Sequence, residues 1–294
     1  MAAVLVGLLL IGIVIVQAGI VPQPNLLMGI SSRPTTWGSD TVYNTTIVQQ
    51  VIDFMNKHGL GIYRMCFDIS ADPTTYVQYY LTHCNYDLII NYYHNAFGTA
   101  ITNAEWATST AKALSLLNTF SIYQNRLWLE PCNERTNNDL PTQIQTFITT
   151  IRNVGYTCRI IVNRWYSQPW SGFASITDPL NKFWTGEHHY FNKESEPGDP
   201  VGETEDWAET KEQQALDLGL KLLDTEVGAD GDEYPQFSQI SVNAVSTYLQ
   251  WCSDHHIGAC VWMLHGTRNY PAKTGYPSYE GYGLKFPSNM FRLW

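Results

Sequence analysis

From Asn25 onward the chain alternates short apolar runs with longer stretches in which apolar residues recur every three or four positions. The short runs are NLLMGI (25–30), GIYRMCF (61–67), YDLIINYY (86–93), RLWLEP (126–131), RIIVNRW (159–165), KFWTGEHHYF (182–191), LKLLDTEV (220–227) and GACVWMLHG (258–266). Turn formers flank each one, and most are too continuously apolar for a strand with one wet face. They therefore predict eight parallel strands buried on both sides. Between them, TTIVQQVIDFMNKHG puts Ile47, Val51, Phe54 and Met55 on one helical face and stops at His58-Gly59. TNAEWATSTAKALSLLNTF opens with Thr102 and Glu105 at the spacing of a capping box. DLPTQIQTFITTIRNVG and ISVNAVSTYLQWCSDHHIG predict two more helices, whereas helices after the fifth and eighth runs are weakly marked. No linker divides the chain. Repeated strand–helix units predict an α/β fold: a single-domain (β/α)8 barrel of the TIM type over residues 25–294. No glycine-rich phosphate loop follows a strand, which weighs against an open nucleotide-binding sheet.

The first stretch, MAAVLVGLLLIGIVIVQAGIVPQP, carries no charged side chain and is apolar from Met1 to Val16. Residues 1–20 therefore predict a signal peptide or a membrane or assembly helix. Three outcomes are open: cleavage after VQA, retention as an anchor, or bundling with copies of itself. The expected location is extracellular or at the cell surface. Six cysteines are scattered singly rather than in the close pairs of zinc sites, and Cys252 and Cys260 are the nearest two in sequence. An exported chain would permit disulfides, with no pairing singled out. Asn44-Thr45-Thr46 is a glycosylation sequon.

Composition narrows the partner. A formal charge of −10 without a basic run argues against nucleic acid, while 13% aromatic content, with ten Trp and eighteen Tyr, supplies flat rings for an uncharged polymer. Trp37, Trp165, Tyr166, Trp170, Trp184 and Trp207 fall mostly in or beside segments that follow strands, where they would line a groove or fill the core.

In a (β/α)8 barrel the chemistry sits at the C-terminal strand ends. The polar residues predicted there are Arg64, His94, Asn133, Glu134, His188, Tyr190, Glu226 and Trp262. Glu134 and Glu226 each follow an apolar run, and two carboxylates flanking one bond are what glycoside hydrolysis requires. Other readings exist: Arg64 as an ion-pair partner of Asp68, lone histidines held in the core, Trp262 as packing. Only one of the adjacent His188 and His189 is expected to face inward. His188, His189, His255 and His256 lack the usual zinc spacings, and no metal or cofactor is expected.

The set of strand-end residues resembles glycoside hydrolase clan A and most of all its family 5. That family carries Arg on strand two, His on strand three, Asn-Glu on strand four, His-x-Tyr on strand six, Glu on strand seven and Trp on strand eight. Here Arg64, His94, Asn133-Glu134, His188-His189-Tyr190, Glu226 and Trp262 occur in that order. NER and TEVG stand where NEP and GEFG are common, which bears on the family more than on the clan. The resemblance implies a retaining mechanism with Glu134 as acid/base and Glu226 as nucleophile, the carboxyl groups about 5–5.5 Å apart. It also implies that Asn133 donates to the sugar 2-hydroxyl, Arg64 and Tyr190 orient Glu226, His188 orients Glu134, His94 binds a sugar hydroxyl and Trp262 forms the floor. The expected substrate is a β-linked polysaccharide of glucan or mannan type, cut internally. The alternative is a non-catalytic carbohydrate-binding or surface protein on the same barrel, with membrane contact or self-association through residues 1–20.

Overall fold

The structure, a computed structural model, describes residues 28–34, 43–93, 99–165, 168–191, 204–229 and 239–262. The elements in chain order are β1 (Met28–Ser32), α1 (Thr45–His58), β2 (Ile62–Asp68), α2 (Thr74–His83), β3 (Asp87–Tyr93), α3 (Asn103–Thr119), β4 (Leu127–Glu130) and α4 (Leu140–Asn153). There follow β5 (Arg159–Asn163), α5 (Trp170–Ala174), β6 (Phe183–Gly186), β7 (His188–Phe191), α6 (Glu205–Asp217), β8 (Leu223–Ala229), α7 (Gln239–Asp254) and β9 (Gly258–Trp262). All strand pairings are parallel, in the order β6-β5-β4-β3-β2-β1-β9-β8-β7. Only Glu187 separates β6 from β7, and a parallel bridge from Thr185 on β6 to Leu222, just before β8, closes the ring. The nine strands are thus eight staves of a (β/α)8 barrel, the sixth being split at Glu187.

Each predicted apolar run contains one stave, and the four named helices form where the periodicity places them. Local chemistry fixes their starts. Asn44, the sequon asparagine, accepts from the Thr46 amide at 2.8 Å and caps α1. Thr102 and Glu105 close the expected capping box on α3. α6, not among the four helices named from the sequence, buries Ala208, Glu212 and Ala215: small or charged residues stand where an apolar stripe would. α2, likewise not named individually, buries Val77, Tyr80 and Leu81.

Side chains alternate across the strands, so each stave faces the helices on one side and the barrel interior on the other. The larger core lies between sheet and helices and includes Val51, Tyr63, Leu88, Leu117, Ile148, Phe173 and Leu249. Inside the barrel, Ile62, Ile89, Trp128, Ile161, Leu223 and Cys260 form a second apolar layer with Trp184 packed on it. This layer sits at the N-terminal half of the strands and closes the barrel floor. Above it the interior turns polar.

All six cysteines are free and buried, so the disulfides that export would permit do not form. Burial pushes the thiols of Cys66 and Cys132 up to about 12 and that of Cys158 up to about 11, which keeps them un-ionised and poor nucleophiles. Among the described residues no helix is long and apolar enough to cross a membrane, and residues 1–20 lie outside them.

Candidate active site

Arg64 is the hub of the polar layer. It rises from β2 into the barrel and is fully buried. Its Nε and Nη2 donate to the two oxygens of Glu130 at 2.5 and 2.9 Å. Nη1 donates to Glu226 Oε1 at 2.5 Å and to Ser31 Oγ at 3.1 Å, and Nη2 also donates to Asn133 Oδ1 at 2.6 Å. A guanidinium presents its N–H groups in a rigid fork, so these bonds fix the ends of β1, β2, β4 and β8 relative to one another. The ion pair considered with Asp68 is replaced by pairs with Glu130 and Glu226.

Glu226 reaches the interior through a local irregularity. In β8, Leu223 joins the interior apolar layer and Thr225 bonds interior Asn163, so strict alternation would turn Glu226 outward. Between Asp224 and Val227, however, the pairing with β9 shifts: three steps along β8 match two along β9, from Ala259 to Val261. The extra residue is a bulge, a device that re-aims a side chain. Thr225 and Glu226 consequently both face the interior, while Val227 returns to the outer core.

Tyr190 donates its hydroxyl to Glu226 Oε2, with His188 Nδ1 3.6 Å from the same oxygen. Burial on its own would raise the Glu226 pKa. The charges of His188 and Arg64, together with the Tyr190 hydroxyl, outweigh burial and hold the carboxyl below its ordinary range. Gly228 makes room for Tyr190, since a Cβ there would stand 3.0 Å from the ring and 2.9 Å from the Trp262 carbonyl oxygen.

Glu134 sits just after β4 with φ of +47°, a left-handed conformation that costs an L side chain of order 1–3 kcal/mol. The neighbouring backbone pins it: Arg135 bridges to Thr99 and its Nη1 donates to the Thr99 hydroxyl at 2.8 Å. Glu134 Oε1 lies 2.7 Å from His188 Nδ1. One carboxylate oxygen of Glu134, one of Glu226 and a ring nitrogen of His188 all fall within 4.8 Å of one another. Burial disfavours the His188 cation, but Glu226 and Glu134 overcome this against the opposing charge of Arg64, and its pKa is raised. Donor atoms so placed can hold a cation, yet here the Arg64 guanidinium already pairs with Glu226.

The model of the family described as Cellulase (glycosyl hydrolase family 5) matches residues 26–268. The chain belongs to glycosyl hydrolase family 5. It is accordingly a glycoside hydrolase. No curated protein matches it in sequence. Family 5 structures share its fold at low identity. An endo-β-1,4-glucanase of Xanthomonas axonopodis pv. citri aligns with TM-score 0.62 and 15% identity over 90% of this chain and 96% of its own. The catalytic domain of a mannanase from Streptomyces sp. SirexAA-E aligns with TM-score 0.65 and 17% identity, over 90% and 86%. Cel5A (EG2) of Hypocrea jecorina aligns with 0.61 and 18%, over 84% and 90%.

Within this family 5 barrel the structure gathers Arg64, Asn133, Glu134, His188, Tyr190 and Glu226 at one end, and places Trp262 at the end of β9 opposite Ser31. His94, Trp37 and Tyr166 lie outside the described residues. Trp184 packs in the barrel floor and Trp170 is buried under Arg164, so these two rings serve packing rather than a groove. Sequence reasoning missed Glu130, Asn163 and Thr225. Their signal was present, since each is a polar residue within or at the end of an apolar run.

His188 and His189 split as expected. His189 faces the helices, where its Nε2 lies 3.1 Å from Glu212 Oε1 and 3.9 Å from Asp224 Oδ2. Asp224 accepts from Tyr248 at 2.7 Å and from the Glu187 amide at 3.0 Å, and Arg164 pairs with Glu187 at 2.6 Å. Glu187, His189 and Glu212 also bring donor atoms within 4.8 Å of one another. This buried cluster ties α6 and α7 to β7 and β8, directly behind the site.

Proposed function

We propose that this family 5 protein is a retaining endo-glycoside hydrolase of β-1,4-linked glucan or mannan, with Glu134 as acid/base and Glu226 as nucleophile. One observation carries the reading: oxygens of Glu134 and Glu226 lie within 4.8 Å of each other. Oxygens that close suit a retaining pair, whose carboxyl groups stand about 5–5.5 Å apart, better than an inverting pair, whose groups stand about 6.5–9.5 Å apart to admit a water. The unequal surroundings support the division of roles. Arg64 and Tyr190 grip Glu226 as an anion, while Glu134 bonds His188, a partner that exchanges protons.

In the first step Glu226 attacks the anomeric carbon as the glycosidic C–O bond breaks, and Glu134 gives its proton to the departing oxygen. In the second, water attacks that carbon, releases Glu226 and returns a proton to Glu134. Arg64 occupies the Asn133 carbonyl, so the amide offers its NH2 to the sugar 2-hydroxyl. Trp262 supplies an apolar face beneath the ring. The choice of glucan or mannan rests on the activities named for the aligned glucanase and mannanase. Delivery to the outside or the cell surface, by cleavage, anchoring or self-association, rests on the charge-free residues 1–20.

Reducing-sugar release from carboxymethylcellulose, mannan, xylan and laminarin tests the reading. Glu134→Gln and Glu226→Gln should each lower turnover by several orders of magnitude while glycan binding persists. The first product should keep the β configuration by NMR. No release from any of these glycans, or an inverted product, overturns it.

A further inference from the structure

Thr225, the residue before Glu226, is fully buried and is turned inward on the β8 bulge. Its hydroxyl meets three polar neighbours. Asn163 Nδ2 lies at 2.6 Å, Glu130 Oε1 at 3.2 Å and His188 Nε2 at 3.1 Å. A hydroxyl has one hydrogen to give and two lone pairs to receive. The Asn163 amide is oriented by Glu130, because the same Nδ2 stands 2.8 Å from Glu130 Oε1 and a carboxylate requires a donor there. Asn163 therefore occupies one lone pair of Thr225.

The single hydrogen then goes to Glu130 or to His188. Glu130 is the forked ion-pair partner of Arg64, and a hydrogen bond to an ionised acceptor is roughly twice as strong as one between neutral groups. Thr225 thus donates to Glu130, and its remaining lone pair faces His188 Nε2. That contact is satisfied only when Nε2 carries a proton.

We propose that Thr225 is a positioning residue which keeps the proton on His188 Nε2, so that the proton exchanged with Glu134 is always the one on the Nδ1 side. This deepens the acid/base reading of Glu134 and rests on it. With Nε2 permanently protonated, one proton is shared between Nδ1 and Glu134 Oε1, 2.7 Å apart. The pair is either imidazolium beside carboxylate or neutral imidazole accepting from the carboxylic acid, and the second form is ready to protonate a leaving oxygen. Without Thr225 a neutral His188 is free to hold its proton on Nδ1 and leave Glu134 ionised, with nothing to give. The charged groups facing His188 are Glu134 after β4, Glu226 on β8 and Arg64 on β2, with Glu130 behind Thr225. The first two favour its charged form and Arg64 opposes it.

The test is nitrogen NMR of the full chain carrying 15N-labelled histidine, titrated without substrate and paired with pH profiles of kcat/KM. Wild type should show His188 Nε2 protonated at every pH at which the protein is folded, with only Nδ1 changing. Thr225→Val removes the acceptor and destabilises the imidazolium. Its neutral His188 should shift toward the Nδ1–H tautomer, and the alkaline limb of kcat/KM should move down by about one to two pH units. Thr225→Ser should restore both. An Nδ1–H tautomer in wild type overturns the proposal without reliance on any variant folding, and so does a Thr225→Val limb that stays in place. If wild type cleaves no glycan, the acid/base reading falls, while the NMR signature still decides Thr225.

Discussion

Replacing Tyr190 by Phe removes one oxygen atom and with it the hydrogen bond to Glu226 Oε2, leaving Arg64 on Oε1. A hydrogen bond to a buried ionised group is worth about 1.5–3 kcal/mol, and each pKa unit is about 1.4 kcal/mol, so the Glu226 pKa should rise by about one to two units. The sign has two consequences. As the proposed nucleophile Glu226 must be ionised, so the acid limb of kcat/KM should move to higher pH by that amount, with a smaller loss near neutrality. Folding should respond as well. The depressed pKa of Glu226 contributes stability that is complete above its unfolded value near 4.5 and is lost as pH falls through the folded value. In Tyr190→Phe the window between the two values narrows. Urea midpoints should accordingly drop by the equivalent of about 1.5–3 kcal/mol at pH 7 and converge on wild type in acid. The assays are a pH series on a soluble glucan or mannan and urea melts across the same series. A uniform loss of kcat with an unmoved acid limb would mean that Tyr190 touches the sugar and does not hold Glu226 ionised, and the argument would fail.

Two further perturbations probe the frame around the site. Gly228→Ala places a methyl within 3.0 Å of both the Tyr190 ring and the Trp262 carbonyl oxygen; it should cost about 1–3 kcal/mol in urea melts and lower turnover by displacing Tyr190. Behind the site, burial and Glu212 push the Asp224 carboxyl up to about 7 from 3.8, so the folded state holds a proton that the unfolded chain releases, and stability falls as pH rises from about 4 to 7. Asp224→Asn removes that slope, up to about 1.4 kcal/mol per pH unit, and calorimetry over this range reads the difference.

The staves were legible because strands buried on both faces have no polar positions to spare, so any polar residue near their ends stood out. Arg64, Asn133, His188, Tyr190 and Glu226 were singled out that way, and the fold brings them together in space. Glu130 lies inside RLWLEP rather than after it and was passed over for Glu134, and its pairing with Arg64 depends on contacts between β2 and β4 that the sequence does not carry. The bulge in β8 was not legible, since it depends on β8 and β9 differing by one residue between their paired ends, which neither strand carries in its own pattern. α6 has no clean apolar stripe for a related reason. Its inward face holds Glu212, which is tolerable there because His189 comes from β7 to meet it.

The polar layer also shows how one strand end can hold both the proposed nucleophile and the residue proposed to set the tautomer of its neighbour. A regular strand gives adjacent side chains to opposite faces, so Thr225 and Glu226 could not both reach His188. The bulge removes that restriction, and the two then serve the two nitrogens of one imidazole: Thr225 at Nε2, and Glu226 together with Glu134 at Nδ1. Arg64 and Glu130 complete the circuit, since Glu130 takes the hydroxyl hydrogen of Thr225 and Arg64 binds both Glu130 and Glu226. Arg64, Glu130, Thr225, His188 and Glu226 are buried, so truncating any of these strands a charge or a donor in a low-dielectric interior, while Glu134 keeps partial contact with solvent. The site is therefore expected to respond as a unit: the geometry links Glu134, through His188 and Thr225, to the Arg64–Glu130 ion pair of the same layer.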